Sequence, residues 1–212
     1  AAERMGVDAM RWVFMCHNPA QNLSFGYGTA DEARRRFLLT LWNIYSFFVT
    51  YANIDQFNPV ASEKASPESE MDRWILSELH SMVAAVTHSL DGYDSADAGR
   101  SIEDFVDILS NWYVRRSRRR FWKSENDQDK LAAYHTLYTC LVTLARLLAP
   151  FTPFISEEMY QNLVRAVDKG APESVHLASY PVSEPMRIDN SLSQATRLAM
   201  KMASLGRSAR SK

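Results

Sequence analysis

The chain has 212 residues, of which 46% are hydrophobic and 23% are charged, so it is long and apolar enough to bury a sizeable core and is not a disordered protein. Seven glycines and eight prolines supply too few turn residues for a sandwich or barrel of many short strands, which excludes an all-β fold. Lysine and arginine (24) balance aspartate and glutamate (25), and the net charge of −1 means that any contact with nucleic acid must use a local patch.

Cysteine usage and the N-terminus indicate the cellular setting. Cys16 and Cys140 are too few for a disulfide framework and lack the paired spacing of a zinc site, which favours a reducing, cytoplasmic compartment. The first residues contain no basic-then-apolar signal segment and do not begin with methionine. We therefore expect the chain to be part of a longer protein.

Hydrophobic residues recur with the helical period along the whole chain, and start and stop signals separate the periodic stretches. The start signals are a capping box at Thr29 to Glu32 and a cap residue before proline at Ser66-Pro67 and Thr152-Pro153. The pattern predicts seven helices, at about residues 7–17, 29–56, 66–91, 94–122, 127–149, 152–170 and from 188 onward. Three prolines predict a loop before the last helix, with Val175–Leu177 extended.

The uncharged run from Phe37 to Ile54 reaches the minimum length of a membrane-spanning helix. On a helical wheel its polar residues fall within one arc of roughly 140°, opposite its large apolar residues. We therefore interpret the run as an amphipathic bundle helix and expect no membrane contact. The polar arc consists of Thr40, Asn43, Ser46, Thr50 and Asn53, and the apolar face of Leu38, Leu41, Trp42, Tyr45 and Phe48.

Five of the predicted helices are long, have short connections and carry one continuous apolar stripe each. In the third helix this stripe consists of Trp74, Leu79, Met82 and Val86. The short polar stretch from Lys123 to Asn126 makes the fourth and fifth helices antiparallel neighbours. The sequence therefore predicts an all-α protein built as an antiparallel helix bundle.

The most unusual stretch runs from Asn111 to Lys123 and carries five arginines, one lysine and no acid. On a regular helical wheel, Arg115, Arg116, Arg119 and Arg120 continue the apolar stripe of Phe105, Ile108, Leu109 and Trp112. Arginine can bind phosphate bidentately and Trp122 offers a stacking surface, which is the chemistry of a sequence-independent RNA contact. The predicted RNA-binding residues are Arg115, Arg116, Arg118, Arg119, Arg120, Trp122 and Lys123.

A structural role for the same arginines stays open. Three acids precede the run and three follow it, so the charges cancel over residues 103–129. Arginines on a core-directed stripe can pair with carboxylates of another helix, such as Glu157 or Glu158, and thereby brace the bundle.

No constellation of residues predicts catalysis or a metal site. The five histidines lack metal-ligand spacing. Gly26 and Gly28 lack the third glycine and the preceding strand of a phosphate-binding loop. We predict no catalytic residue, no metal ligand and no bound cofactor in this chain.

Several segments, in the same order, resemble isoleucyl-tRNA synthetases. The Arg-rich run from Ser110 to Trp122 is the segment most typical of the isoleucyl enzyme, whereas valyl- and leucyl-tRNA synthetases share Trp-Ile-Leu-Ser and Leu-Ala-Pro-Phe segments and stay open as alternatives. The other matching segments are Gly6-Val-Asp-Ala-Met-Arg-Trp12, Asp72-Arg-Trp-Ile-Leu-Ser77, Leu147-Leu-Ala-Pro-Phe-Thr-Pro-Phe-Ile-Ser-Glu-Glu-Met-Tyr160, Ser174-Val-His-Leu177 and Leu205-Gly-Arg-Ser-Ala-Arg-Ser-Lys212.

The resemblance implies a fragment of a class I aminoacyl-tRNA synthetase, with its anticodon-binding helical bundle at residues 30–180. Residues 1–29 would end the catalytic or stem-contact region, and residues 181–212 would begin a C-terminal region. The implied parent is a cytoplasmic, monomeric enzyme that charges tRNA(Ile) with isoleucine using ATP and Mg²⁺.

The ATP-binding signatures of that family have no counterpart in this sequence, so we expect the chain alone to be inactive and to bind tRNA. It would also contact the catalytic domain of the same protein. The alternative is a purely structural helical module that docks the catalytic domain through Trp12, Phe14 and the helix starting at Thr29.

Overall fold

The structure is a computed structural model that describes residues 2–62, 69–123 and 127–210. Over these residues the regular structure is helical, which confirms the predicted all-α fold. The helices are α1 (Ala2–Met5), α2 (Val7–Met15), α3 (Tyr27–Ile54), α4 (Glu70–Asp91), α5 (residues 95–122), α6 (Gln128–Leu148), α7 (residues 153–165) and α8 (Asn190–Arg210). Short 3₁₀ turns lie at Val175–Leu177 and Pro185–Arg187.

Three of the helices contain a π-helical segment, where a turn takes up one extra residue. These segments are Arg34–Leu38 in α3, Leu109–Val114 in α5 and Gln161–Arg165 in α7. In α5 the segment separates Ser95–Ile108 from Arg115–Trp122, so it changes the direction in which the Arg-rich residues point.

Helices α3 to α6 form the bundle, and side-chain pairs at both ends show that α4 and α5 are antiparallel. Asp72 at the start of α4 accepts hydrogen bonds from Arg120 at the end of α5. At the opposite end, the Ser89 hydroxyl donates to Asp97 over 3.0 Å. The predicted antiparallel bundle is therefore confirmed.

Aromatic side chains fill the core where three helices meet. The ring of Phe121 in α5 packs edge-on against Tyr134 of α6 at 4.9 Å and against Phe47 of α3 at 5.2 Å between centroids. The predicted stripe of α4 is buried in full, and that of α3 is buried except for Trp42, which is 37% exposed.

Two helices, Tyr27–Ile54 and Gln128–Leu148, are long and apolar enough to cross a membrane by length and composition alone. Core helices of soluble proteins have the same property. In this bundle both helices contribute buried residues to the common core.

Helix α2 is attached to the bundle by aromatic stacking. Trp12 is buried and stacks on Phe37 of α3, with 3.8 Å between ring centroids, and its indole N–H donates to Glu103 over 3.0 Å. Trp12 is therefore not available on the surface, and the expectation that it docks another domain was wrong.

Polar groups of α2 also hold the start of α7. The Arg11 guanidinium donates to the carbonyls of Pro150 (2.7 Å) and Phe151 (3.2 Å). Asp8 accepts the backbone N–H of Ile155 over 2.7 Å, so a carboxylate from another helix caps α7. Thr152 occupies the predicted N-cap position, but its side chain makes no capping bond.

Three local predictions need comment. Helix α3 begins at Tyr27, so Thr29 lies inside the first turn and donates to the Ser24 carbonyl over 2.9 Å; the capping-box prediction was wrong. Val175–Leu177 is a 3₁₀ turn and not extended, because the Ser174 hydroxyl accepts the N–H of His176 and closes the turn. Ser66-Pro67 lies outside the described residues.

Candidate nucleic-acid interface

Every fourth residue of α5 is buried between Phe105 and Phe121, through Leu109, Tyr113 and Ser117. In a regular α-helix, residues four positions apart differ in direction by about 40° around the helix axis. From Phe105 to Phe121 these differences would add up to about 160°. The π-helical segment Leu109–Val114 accommodates one extra residue in a turn and thereby reduces this rotation by about 100°. The five residues therefore all face the core.

The same segment rotates the arginines away from the core. Regular periodicity placed them on the continuation of the apolar stripe, but Tyr113, Ser117 and Phe121 occupy that position. The prediction that the stripe becomes cationic was therefore wrong, because the extra residue shifts the register by about 100°.

Four of the arginines, Arg115, Arg116, Arg118 and Arg119, are exposed. None of them forms an ion pair with a residue that the structure describes. Trp122 lies at the end of the same helix and is 56% exposed. We call these four arginines and Trp122 the basic face.

Arg120 has a different environment from its neighbours. Its guanidinium binds both carboxylate oxygens of Asp72 at 2.7 Å and contacts the carboxylate of Asp129 at 2.8 Å. The hydroxyl of Tyr113 donates to the same Asp72 over 2.6 Å. The Asp72 side chain is fully buried and that of Arg120 is 15% exposed, so we call this group the Arg120 brace.

The brace confirms a structural role for one arginine but corrects its partner. We expected Glu157 or Glu158, whereas the acids are Asp72 and Asp129. Glu157 instead accepts from Ser174 and the backbone of Val175, and it does not reach the Arg-rich segment.

The ionisation of the brace follows from its surroundings. Burial raises the pKa of Tyr113 well above its ordinary value, and the nearby charge of Asp72 raises it further, so the phenol stays protonated as a donor. Burial on its own lowers the pKa of Arg120, but hydrogen bonds to Asp72 and the nearby acids raise it overall. The guanidinium therefore stays charged.

Lys123 is also paired. Its ammonium group lies 2.6 Å from Asp127 and 3.0 Å from Asp129, beside the brace. Although partial desolvation lowers the pKa of Lys123, hydrogen bonds to these two acids raise it overall. RNA contact by Arg120 and Lys123 stays a prediction, and both cations have carboxylate partners in the described structure.

A second buried ion pair, between Lys130 and Asp55, involves a residue shortly after Lys123 in the sequence. Lys130, which is 1% exposed, binds Asp55 at 2.6 Å and donates to the carbonyl of Lys123 at 2.8 Å. Tyr134 donates to the same Asp55. The pair joins the end of α3 to the start of α6.

Helix α8 places a further cation, Arg207, beside the Arg-rich part of α5. The guanidinium of Arg207 lies 5.7 Å from the ring centroid of Trp112, and that of Arg116 lies 4.8 Å from the same centroid. Helix α8 is held on α4 by an ion pair between Arg197 and the buried Glu78 at 2.6 Å.

Sequence reasoning missed Asp72, Tyr113 and Arg207. One signal was available for Asp72, which stands three, four and seven positions before the buried residues Ile75, Leu76 and Leu79. A lone acid on an apolar stripe requires a buried cation, which the Arg-rich run could supply. Nothing in the sequence places Arg207 beside Trp112.

Catalytic and metal chemistry find little support in the described residues. No group of three or more histidine, cysteine, aspartate or glutamate side chains among them could hold a metal ion. Burial raises the pKa of the Cys16 thiol to about 12, and Cys140 is fully buried, so both thiols are poor nucleophiles.

Comparison with known proteins agrees with this architecture. The fold matches the LeuRS in the crystal structure of the Agrobacterium radiobacter K84 agnB2 LeuRS-tRNA-LeuAMS ternary complex with a TM-score of 0.65 and 19% identity. The match covers 89% of this chain and 21% of that chain, so the fold is that of a helical part of a class I aminoacyl-tRNA synthetase. A family model described as the anticodon-binding domain of tRNA ligase matches residues 72–212, and the chain belongs to this family.

Curated relatives confirm the resemblance to isoleucyl-tRNA synthetases. The chain is 60% identical over 211 residues to the isoleucine–tRNA ligase of Dehalococcoides mccartyi (strain CBDB1), covering 99% of this chain and 21% of the relative. It is 49% identical to the enzyme of Clostridium novyi (97% and 20%) and 47% identical to that of Thermus thermophilus (98% and 20%). The chain therefore spans about a fifth of the length of these relatives.

Proposed function

We propose that the chain binds tRNA(Ile) through the basic face, as the anticodon-binding part of an isoleucine–tRNA ligase. The supporting observation is that Arg115, Arg116, Arg118 and Arg119 are exposed and have no acid partner among the described residues. They lie within the family-matched residues 72–212. Four exposed guanidiniums beside an exposed indole suit contact with RNA phosphates and an unstacked base.

We further propose that the whole protein is a cytoplasmic monomer that charges tRNA(Ile) with isoleucine using ATP and Mg²⁺. The identity of 60% to an isoleucine–tRNA ligase favours the isoleucyl enzyme over the valyl and leucyl alternatives. Gly26 and Gly28 lie at the start of α3 and not after a strand, so this chain offers no phosphate-binding loop there. We therefore expect the chain alone to show no isoleucine-dependent ATP–pyrophosphate exchange.

The catalytic domain of the same protein is a second proposed partner, and the apolar surface of α2 supports this contact. Phe14 is 54% exposed and stacks on Phe25, with 4.9 Å between ring centroids, and Val7 is exposed beside it. Contiguous exposed apolar side chains are found at protein interaction sites. Phe14 was expected on this surface from the sequence and is exposed, whereas Trp12 is buried and Phe25 is the aromatic residue that pairs with Phe14.

The proposed tRNA contact can be tested with the double variant Arg116→Gln/Arg119→Gln. It should weaken binding about equally for cognate and non-cognate tRNA and reduce the log–log salt slope by roughly one for each lost contact. Thermal unfolding should be nearly unchanged because both side chains are exposed.

Arg100→Gln is the matched control, since Arg100 is an exposed arginine near the other end of the same helix. It should leave the dissociation constant and the salt slope unchanged. If the double variant binds tRNA as the unmodified chain does, the basic face is not the contact surface.

A further inference from the structure

A cation from a second helix lies beside the basic face. Arg116 of α5 and Arg207 of α8 both lie within 6 Å of the Trp112 ring centroid, a range in which a guanidinium is attracted to an indole. Their guanidinium carbons are therefore at most about 10.5 Å apart. At 0.1 M salt the Debye length is about 10 Å, so screening weakens the repulsion between the two charges but does not abolish it.

No described acid explains why the two cations are held together. Neither Arg116 nor Arg207 forms an ion pair with a residue that the structure describes. Asp107 accepts from the neutral amide of Asn111, and Asp72 accepts from Arg120. Two neighbouring cations without a described counter-charge attract anions.

The position of α8 is fixed by contacts outside this cluster. The backbone N–H of Asp189 donates to the Ser77 hydroxyl over 2.8 Å, and Arg197 pairs with Glu78, which is 4% exposed. Leu192 and Met200 of α8 are partly buried and pack against the core, so limited apolar packing adds to these polar anchors before the last turns of the helix. The anchors at Asp189 and Arg197 hold α8 so that its last turns reach α5.

We propose that Arg116, Trp112 and Arg207 form a two-helix clamp for a backbone phosphate of RNA. This inference rests on the proposed tRNA binding and adds α8 to the contact surface. Arg116 and Arg207 bind the phosphate oxygens, and Trp112 is a positioning residue that sets the distance between the two guanidiniums through its ring.

The test uses tRNA titrations of the 212-residue chain at several salt concentrations. Arg207→Gln should weaken binding about fivefold at 0.1 M salt and lower the log–log slope by about 0.7 to 0.9, the value of one released counterion. Arg210→Gln is the matched control, because Arg210 is exposed in the last turn of α8 and has no contact with Trp112 in the described structure. It should retain the unmodified affinity to within about twofold.

The role of Trp112 is tested by two substitutions. Trp112→Phe keeps an aromatic face and should retain tRNA affinity, whereas Trp112→Leu keeps apolar packing and should lose affinity and salt slope as Arg207→Gln does. Thermal unfolding of each variant separates loss of the fold from loss of the clamp. Equal affinity for the Phe and Leu variants would contradict the positioning role.

The outcomes distinguish the clamp from the proposed function. If the unmodified chain does not bind tRNA, both fail. If it binds and Arg116→Gln/Arg119→Gln weakens binding while Arg207→Gln does not, the proposed function stands and the clamp is overturned. A lower melting temperature for Arg207→Gln with unchanged tRNA affinity would also overturn the clamp, because Arg207 would then only attach α8 to the bundle.

Discussion

Arg119 and Arg120 are adjacent in sequence but have opposite environments. Arg119 is exposed, whereas Arg120 holds a fully buried carboxylate of another helix. A buried ion pair is weak evidence for high stability, because desolvation offsets much of its attraction. Removing only one partner is nevertheless costly, since the other charge stays buried without compensation.

We predict that Arg120→Gln lowers the free energy of unfolding by about 3 to 5 kcal/mol, because Asp72 is left buried and charged. Urea denaturation measures this loss. The double variant Asp72→Leu/Arg120→Leu should be less destabilised than Arg120→Gln, since it leaves no unpaired charge.

Arg100→Gln again serves as the control, because its ion pair with Asp97 is exposed and should contribute less than about 1 kcal/mol. An Arg120→Gln variant that unfolds like the unmodified chain but no longer binds tRNA would show that Arg120 is an RNA contact and not a brace.

At the scale of the helix, the π-helical segment of α5 decides which arginines face solvent. Removing one residue inside this segment should convert it to a regular α-helix and leave both flanking parts in register. Removing one residue after it should rotate everything that follows by about 100°.

We therefore predict that deletion of Asn111 is tolerated, at a cost of about 1 kcal/mol for its lost hydrogen bond to Asp107. Deletion of Arg118 should instead cost about 3 to 5 kcal/mol or more, because Phe121 leaves the core and Arg120 leaves Asp72. Urea denaturation of both deletions provides the comparison. Equal losses of unfolding free energy in the two deletion variants would mean that the π-helical segment does not compensate for the removal of a residue.

The same segment shows how far the sequence could predict the molecule. The stripe of Trp74, Leu79, Met82 and Val86 predicts the core of α4 correctly, because burial follows local periodicity there. An analysis that assumes a constant helical period cannot detect one extra residue inside a helix. For this reason the predicted direction of the arginines in α5 was wrong. The pairing of Asp72 with Arg120, 48 positions apart, depends on tertiary contacts that periodicity does not contain.

At the scale of the whole molecule, His80 attaches the segment before α8 to the bundle. Its Nδ1 accepts the backbone N–H of Glu184 over 3.0 Å, and its carbonyl accepts the Ser183 hydroxyl over 2.8 Å. Burial lowers the pKa of His80 below its ordinary value of 6.5, although the charge of Glu184 opposes this effect and that of Arg187 adds to it.

The contribution of His80 to stability should therefore be fully present above about pH 6.5 and lost as the pH falls below that value, because the unfolded chain takes up the proton more readily. We predict that His80→Asn, whose amide oxygen can replace Nδ1 as an acceptor, loses less stability than the unmodified chain when the pH is lowered from 7.5 to 5.5. Thermal unfolding at both pH values measures the difference. Identical losses for the two proteins would assign the pH dependence to other groups.

The cap that Asp8 supplies to α7 joins two distant parts of the chain in one cooperative unit. The N–H of Ile155 has its hydrogen-bond acceptor on α2, 147 positions earlier. When α2 detaches, this amide loses its partner and becomes open to exchange with solvent deuterium, together with the start of α7. The N-terminal residues therefore do not fray independently. When they open locally, they also expose the start of α7, which is distant in the sequence.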